Sequence, residues 1–139
     1  MTWDERGSVT IWMLGLCFVL LAFGGLALDF WRGLALQREL AAIADSAAIA
    51  AASGIDEEHY RSTGEVVLHP DRARALATAS IGFQSVEPEE ELVVLDASGT
   101  SVTVQVAASL DLGLLALLVD DSEPLLVRAS ASARPELVP

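Results

Sequence analysis

Residues 8–28, SVTIWMLGLCFVLLAFGGLAL, carry no charged side chain. At about 1.5 Å rise per residue, roughly 20 helical residues cross a hydrocarbon core, so this run is long enough to span a bilayer. Trp12 near one end, and Phe30 with Trp31 at the other, stand where amphipathic rings anchor in the interface. A cleaved secretory signal is the competing reading. Its apolar region would be shorter, about 7–15 residues, and its leader more basic than MTWDERG. The run therefore reads as a retained anchor behind a short leader, residues 1–7. Cys17 lies within it and has no second cysteine to pair with, so it reads as a structural thiol in an apolar setting.

The helical pattern does not stop with the span. No proline occurs before Pro70, and an isolated Gly33 costs only about 1 kcal/mol among good helix formers. Gly54 supplies the stop signal. One helix over 9–53 would be roughly 65–70 Å long, half in the membrane and half (residues 29–54) outside it. In that outer half, Leu36, Leu40, Ile43, Ala47 and Ala50 fall on one stripe at 100° per residue. Asp45 lies nearly opposite, on a face shared with Arg38, Ala41, Ala48 and Ala52. No basic residue stands three or four positions away to pair with it, whereas Asp29 has Arg32 three residues on. Asp45 reads either as a solvated carboxylate or as a group whose partner arrives with another backbone across the alanine face. Gly25, Asp29 and Gly33 continue a similar small-residue line downward.

Residues 55–70, IDEEHYRSTGEVVLHP, read as a polar loop around an apolar island, VVL. Pro70 suits the first turn of a helix and Asp71 its positive end. Ala73, Leu76, Ala77, Ser80 and Ile81 or Phe83 then recur at helical intervals. Two β-rich runs flank Ser98-Gly99, a hairpin signal, and Val102, Val104 and Val106 alternate with Thr103 and Gln105. The run Glu89–Glu91 reads as a solvated approach to the first strand. Residues 110–119, LDLGLLALLV, are apolar but too short to span, and predict a buried turn of helix or a patch on a membrane or partner. In PLLVRASASAR, Val127, Ala129, Ala131 and Ala133 alternate with Arg128, Ser130, Ser132 and Arg134, predicting a third, antiparallel strand. The expected fold is α+β and pilin-like: a long N-terminal helix, a short second helix, and a small three-stranded antiparallel sheet within residues 55–139. Three strands alone bury too little, so the sheet should pack on Leu36, Leu40 and Ile43.

Acidic residues outnumber basic ones 20 to 8, for a net charge of −12. Such a surface repels phosphate backbones, which argues against nucleic-acid binding. All eight basic residues are arginines, a matter of base composition and not of mechanism. His59 and His69 stand ten apart without convergent ligands, and no Ser/His/Asp arrangement or phosphate loop occurs. No catalytic residue, metal, cofactor or small-molecule substrate is therefore expected. Arg6 alone precedes the span while Arg32 and Arg38 follow it, a count that mildly places the C-terminal side in the cytoplasm.

Three stretches carry a family resemblance: ERGSVTIW opening the span, GGLALDFWRGLALQRELAAIADSAAIAAASG closing it, and AIADSAAIAAA within the latter. Over residues 5–54 the chain resembles the TadE/TadG-like proteins of Flp (tight-adherence) pilus assembly; from 55 onward the similarity is architectural, ending in VRASASARPE. The resemblance implies a single-pass membrane protein with a cytoplasmic N-terminus and an extracytoplasmic C-terminal region, reversing the arginine count. It implies a minor-pilin-like role in pilus assembly or secretion, exerted by helix packing and without catalysis. The expected partners are the lipid bilayer and other pilus or secretion-machine subunits, met through Gly25, Asp29, Gly33, Ala41, Asp45, Ala48 and Ala52. The alternative is a membrane-tethered binding or secretion-accessory protein that never enters a filament. Some relatives are cut after a glycine preceding the span, here Gly7-Ser8. This chain departs from that pattern, with Trp12 where pilins carry Glu and a short acidic leader.

Overall fold

The computed structural model describes residues 6–84, 86, 88–96, 98–111, 113 and 125–136, with no side-chain description for 6–8. Helix α1 runs unbroken over Arg6–Ala52, 47 residues, or about 70 Å. It is followed by α2 (Glu57–Thr63), α3 (Pro70–Ile81), and strands β1 (Glu90–Leu95), β2 (Val102–Leu110) and β3 (Leu125–Ala133). The strands form one antiparallel sheet in the order β1-β2-β3. The α+β expectation holds, with one helix more than the sequence reading gave.

That additional helix is α2, placed in what read as a polar loop. Its start is set by Asp56, whose side chain accepts hydrogen bonds from the N–H groups of Glu58 and His59. Glu57 and Glu58 occupy the first turn, favourably near the positive end, and Gly64 takes the left-handed conformation (φ 76°) that stops it. At α3, Pro70 is in the first turn as expected, and Ala73, Ala77 and Ile81 are its buried residues.

α1 packs on β2, β3 and α3, so the two helices lie on one face of the sheet. Leu40, Ile43, Ala44, Ala47, Ala48 and Ala51 of α1 join Ala73, Ala77 and Ile81 of α3 and Val102, Val104 and Val106 of β2 in one core. Alanine on both helices removes the bulk that would otherwise hold their axes apart. Gly54 serves the same end. Its φ is not positive, so it is not a left-handed cap. Instead, a Cβ there would lie 2.9 Å from the backbone N of Ala73.

The sheet follows its period-two pattern. Val102, Val104 and Val106 are buried while Gln105 is exposed, and Ala129, Ala131 and Ala133 are half-buried while Ser130 and Ser132 are exposed. At the hairpin turn Gly99 has φ 68°, and Asp96 accepts from the backbone N–H groups of Ser98 and Thr100. The three glutamates before and within β1 each find a partner. Glu89 accepts from the Ser109 hydroxyl, Glu90 lies 3.5 Å from Arg128, and Glu91 accepts from Thr78 at 3.2 Å. Most of the apolar run 110–119 lies outside the described residues, as does the leader through residue 5.

Candidate packing interface

The membrane-proximal half of α1 is bare. From Val9 to Leu21 every side chain is exposed, among them Ile11, Trp12, Met13, Leu14, Phe18 and Leu21. An apolar surface this long is not stable in water, and only a bilayer or a set of similar helices covers it on all sides. α1 is the one helix among the described residues long and apolar enough to cross a membrane.

Where the bare half ends, Asp29 is buried, 3% exposed. Its Oδ1 accepts a hydrogen bond from the backbone N–H of Gly113 at 3.0 Å and lies 3.8 Å from the Arg32 guanidinium. Gly113 belongs to the connection after β2, and a Cβ on it would sit 2.6 Å from that oxygen. One turn further on, a Cβ on Gly33 would touch the Leu110 side chain at 3.3 Å. Asp29 thus fastens the sheet to the helix at the level where the span ends. Arg32 pairs with it as the i, i+3 spacing predicted. The Gly113 contact is across 84 residues and was not foreseen; its signal was an isolated glycine inside an apolar run, the mark of a close backbone approach.

The residues expected to form a single partner-facing line are divided by the fold. Asp29 and Gly33 meet residues after β2 or at its end, on the sheet side of α1, roughly 160° and 120° around the helix from Asp45 respectively. Gly25 is half-buried, and Ala48 and Ala52 are buried within the chain's own core. Of that line, Ala41 and Asp45 remain exposed. The reason is tertiary: β2, β3 and α3 all pack on α1 and together cover flanks that one helix's periodicity cannot reveal to be covered. Gly7 and Ser8 lie in the first turns of α1.

The opposite end of the molecule is braced by two carboxylates. The His59 N–H holds the Asp56 carboxyl below its ordinary value against the opposing effect of desolvation, and the Glu58 N–H adds to the lowering. The Ser98 hydroxyl, with backbone N–H groups of the turn, does the same for Asp96. The Leu68 N–H donates to the Gly99 carbonyl, joining the hairpin turn to the segment between α2 and α3. His59 Nε2 lies 3.8 Å from Glu65, and among the described residues no group of three or more metal-ligating side chains converges.

A 47-residue helix that is bare along its first half and clad by a small sheet along its second defines a membrane protein of single-helix, lollipop-like build. Residues 7–54 match the model of the Tad family, described as "Putative Flp pilus-assembly TadE/G-like". The match coincides with α1 almost end to end, and over this segment the resemblance drawn from the sequence is borne out. It marks a pilus-assembly-related membrane protein. No curated protein and no solved structure matches the chain.

Proposed function

We propose that the protein is a single-pass, minor-pilin-like component of a Flp/Tad pilus assembly or secretion machine, acting by helix packing and not by catalysis. In this reading residues 8–28 span the bilayer, the N-terminus is cytoplasmic, and residues 29–139 stand outside, with the sheet held to the helix through Asp29. The observation that carries it is the family match over residues 7–54, which falls on the helix that leaves a whole face open for neighbours. Partners are then the bilayer and other subunits of the same machine.

The test is deletion of the gene followed by counting and measuring surface pili, with the protein traced in sheared filament and membrane fractions. Lost or shortened pili, and protein in the sheared fraction, support the reading. Normal piliation in the deletion strain refutes it, and protein confined to the membrane fraction points to an accessory that does not enter the filament.

A further inference from the structure

Three exposed residues of α1, Trp31, Arg38 and Asp45, recur at intervals of seven. Seven residues bring an α-helix back to within about 20° of its starting direction, so the three form one line along the rod. The line faces away from the sheet. Trp31 is 62% exposed. Among the described residues neither Arg38 nor Asp45 has an ion pair, although every other arginine from 32 to 128 has one. Ala35, Ala41 and Ala42 flank the line and are exposed, so a second helix can approach closely.

We propose that this line docks a second copy of the same chain, parallel and displaced along the helix by seven residues. The charge pattern selects that register. Two copies at equal depth set Arg38 against Arg38 and Asp45 against Asp45, like against like. A displacement of seven residues, about 10.5 Å, sets Arg38 of one copy against Asp45 of the other. The same displacement sets Trp31 of the first copy against Arg38 of the second, where the guanidinium can lie over the indole face. The contact uses different residues on its two sides, so it is heterologous and does not close on itself as an isologous dimer does. It also lifts one span relative to the other by about a third of the roughly 30 Å hydrocarbon core, as a subunit drawn out of the membrane would be. The inference rests on the membrane-spanning reading of residues 8–28, and gives Asp45 the partner that its own helix does not provide.

The test uses two versions of the full chain, purified in detergent micelles where depth is not imposed, both carrying Cys17→Ser. One carries Ala35→Cys and the other Ala42→Cys, and the mixture is oxidised. The staggered register makes the 35–42 product dominant over 35–35 and 42–42. Arg38→Asp on the Ala35→Cys copy largely abolishes that product, as does Asp45→Arg on the Ala42→Cys copy, and the two together restore it. Dominant 35–35 and 42–42 products, absence of any cross-link, or no rescue by the charge exchange would each overturn the proposal. Piliation of the deletion strain is read separately, so failure of this contact and failure of the pilus role are distinguishable.

Discussion

Asp29 is the most sharply testable residue in the fold. Replacing it with alanine removes the acceptor for the Gly113 N–H and the partner of Arg32. A hydrogen bond to a charged group contributes about 1.5–3 kcal/mol, and a neutral one about 0.5–1.5 kcal/mol. The Arg32 pair adds little, within about 0–1 kcal/mol, because Arg32 is 63% exposed. Asp29→Ala should therefore cost about 2–3 kcal/mol, and Asp29→Asn, which retains an acceptor oxygen, roughly half of that. With a urea dependence of about 1–2 kcal/mol per molar for a small domain, the alanine variant should unfold about 1–3 M earlier. Unfolding would be followed in micelles by tryptophan fluorescence, beside hydrogen exchange at the Gly113 amide. Gly113→Ala supplies the decisive control. Its Cβ would lie 2.6 Å from the Asp29 carboxylate, so the substitution should be harmful in the native chain and nearly harmless in the Asp29→Ala background. Additive effects of the two changes, or an unaltered Gly113 exchange rate in Asp29→Ala, would refute the account of Asp29 as the fastening between sheet and helix.

Gly54→Ala should destabilise by about 1–3 kcal/mol, because its Cβ meets Ala73 backbone, which cannot swing aside. Gly24→Ala, with nothing within 4 Å, should be neutral in the same urea series. The Asp56 cap gives a pH dependence of fixed sign. Its folded pKa lies below the ordinary 3.8, so the stabilisation is fully present above that value and is lost as pH falls through the lower folded one. Exchange protection of the Glu58 and His59 amides should be steady from neutrality to about pH 5 and fall at more acidic pH, whereas Asp56→Ala should show no such step. Loss of protection already near neutral pH would refute the assignment to Asp56.

The elements that declared themselves in the sequence did so through periodicity. An uncharged run of span length, a leucine–isoleucine stripe at 3.6, and valines alternating around a Ser-Gly turn each fix an element from its own residues. The two-fold alternation of residues 127–134 even fixed which side of β3 faces inward. The α2 helix was less legible because it is short and has no buried residue, so only its Asp56 cap and Gly64 stop mark it.

What no local pattern could decide was which faces of α1 the chain keeps for itself. Ala41, Ala48 and Ala52 look alike on a wheel, yet the packed domain buries the latter two and leaves Ala41 in the open. Asp29 and Asp45 are both carboxylates on one helix, but one is buried against Gly113 and the other is exposed. A single sequence determines what each residue can tolerate beside it. Contacts over long separations, such as 29 with 113 and 54 with 73, arise only when the elements pack. Those contacts turned a rod with two apparently equivalent small-residue faces into one with a covered side and an open side.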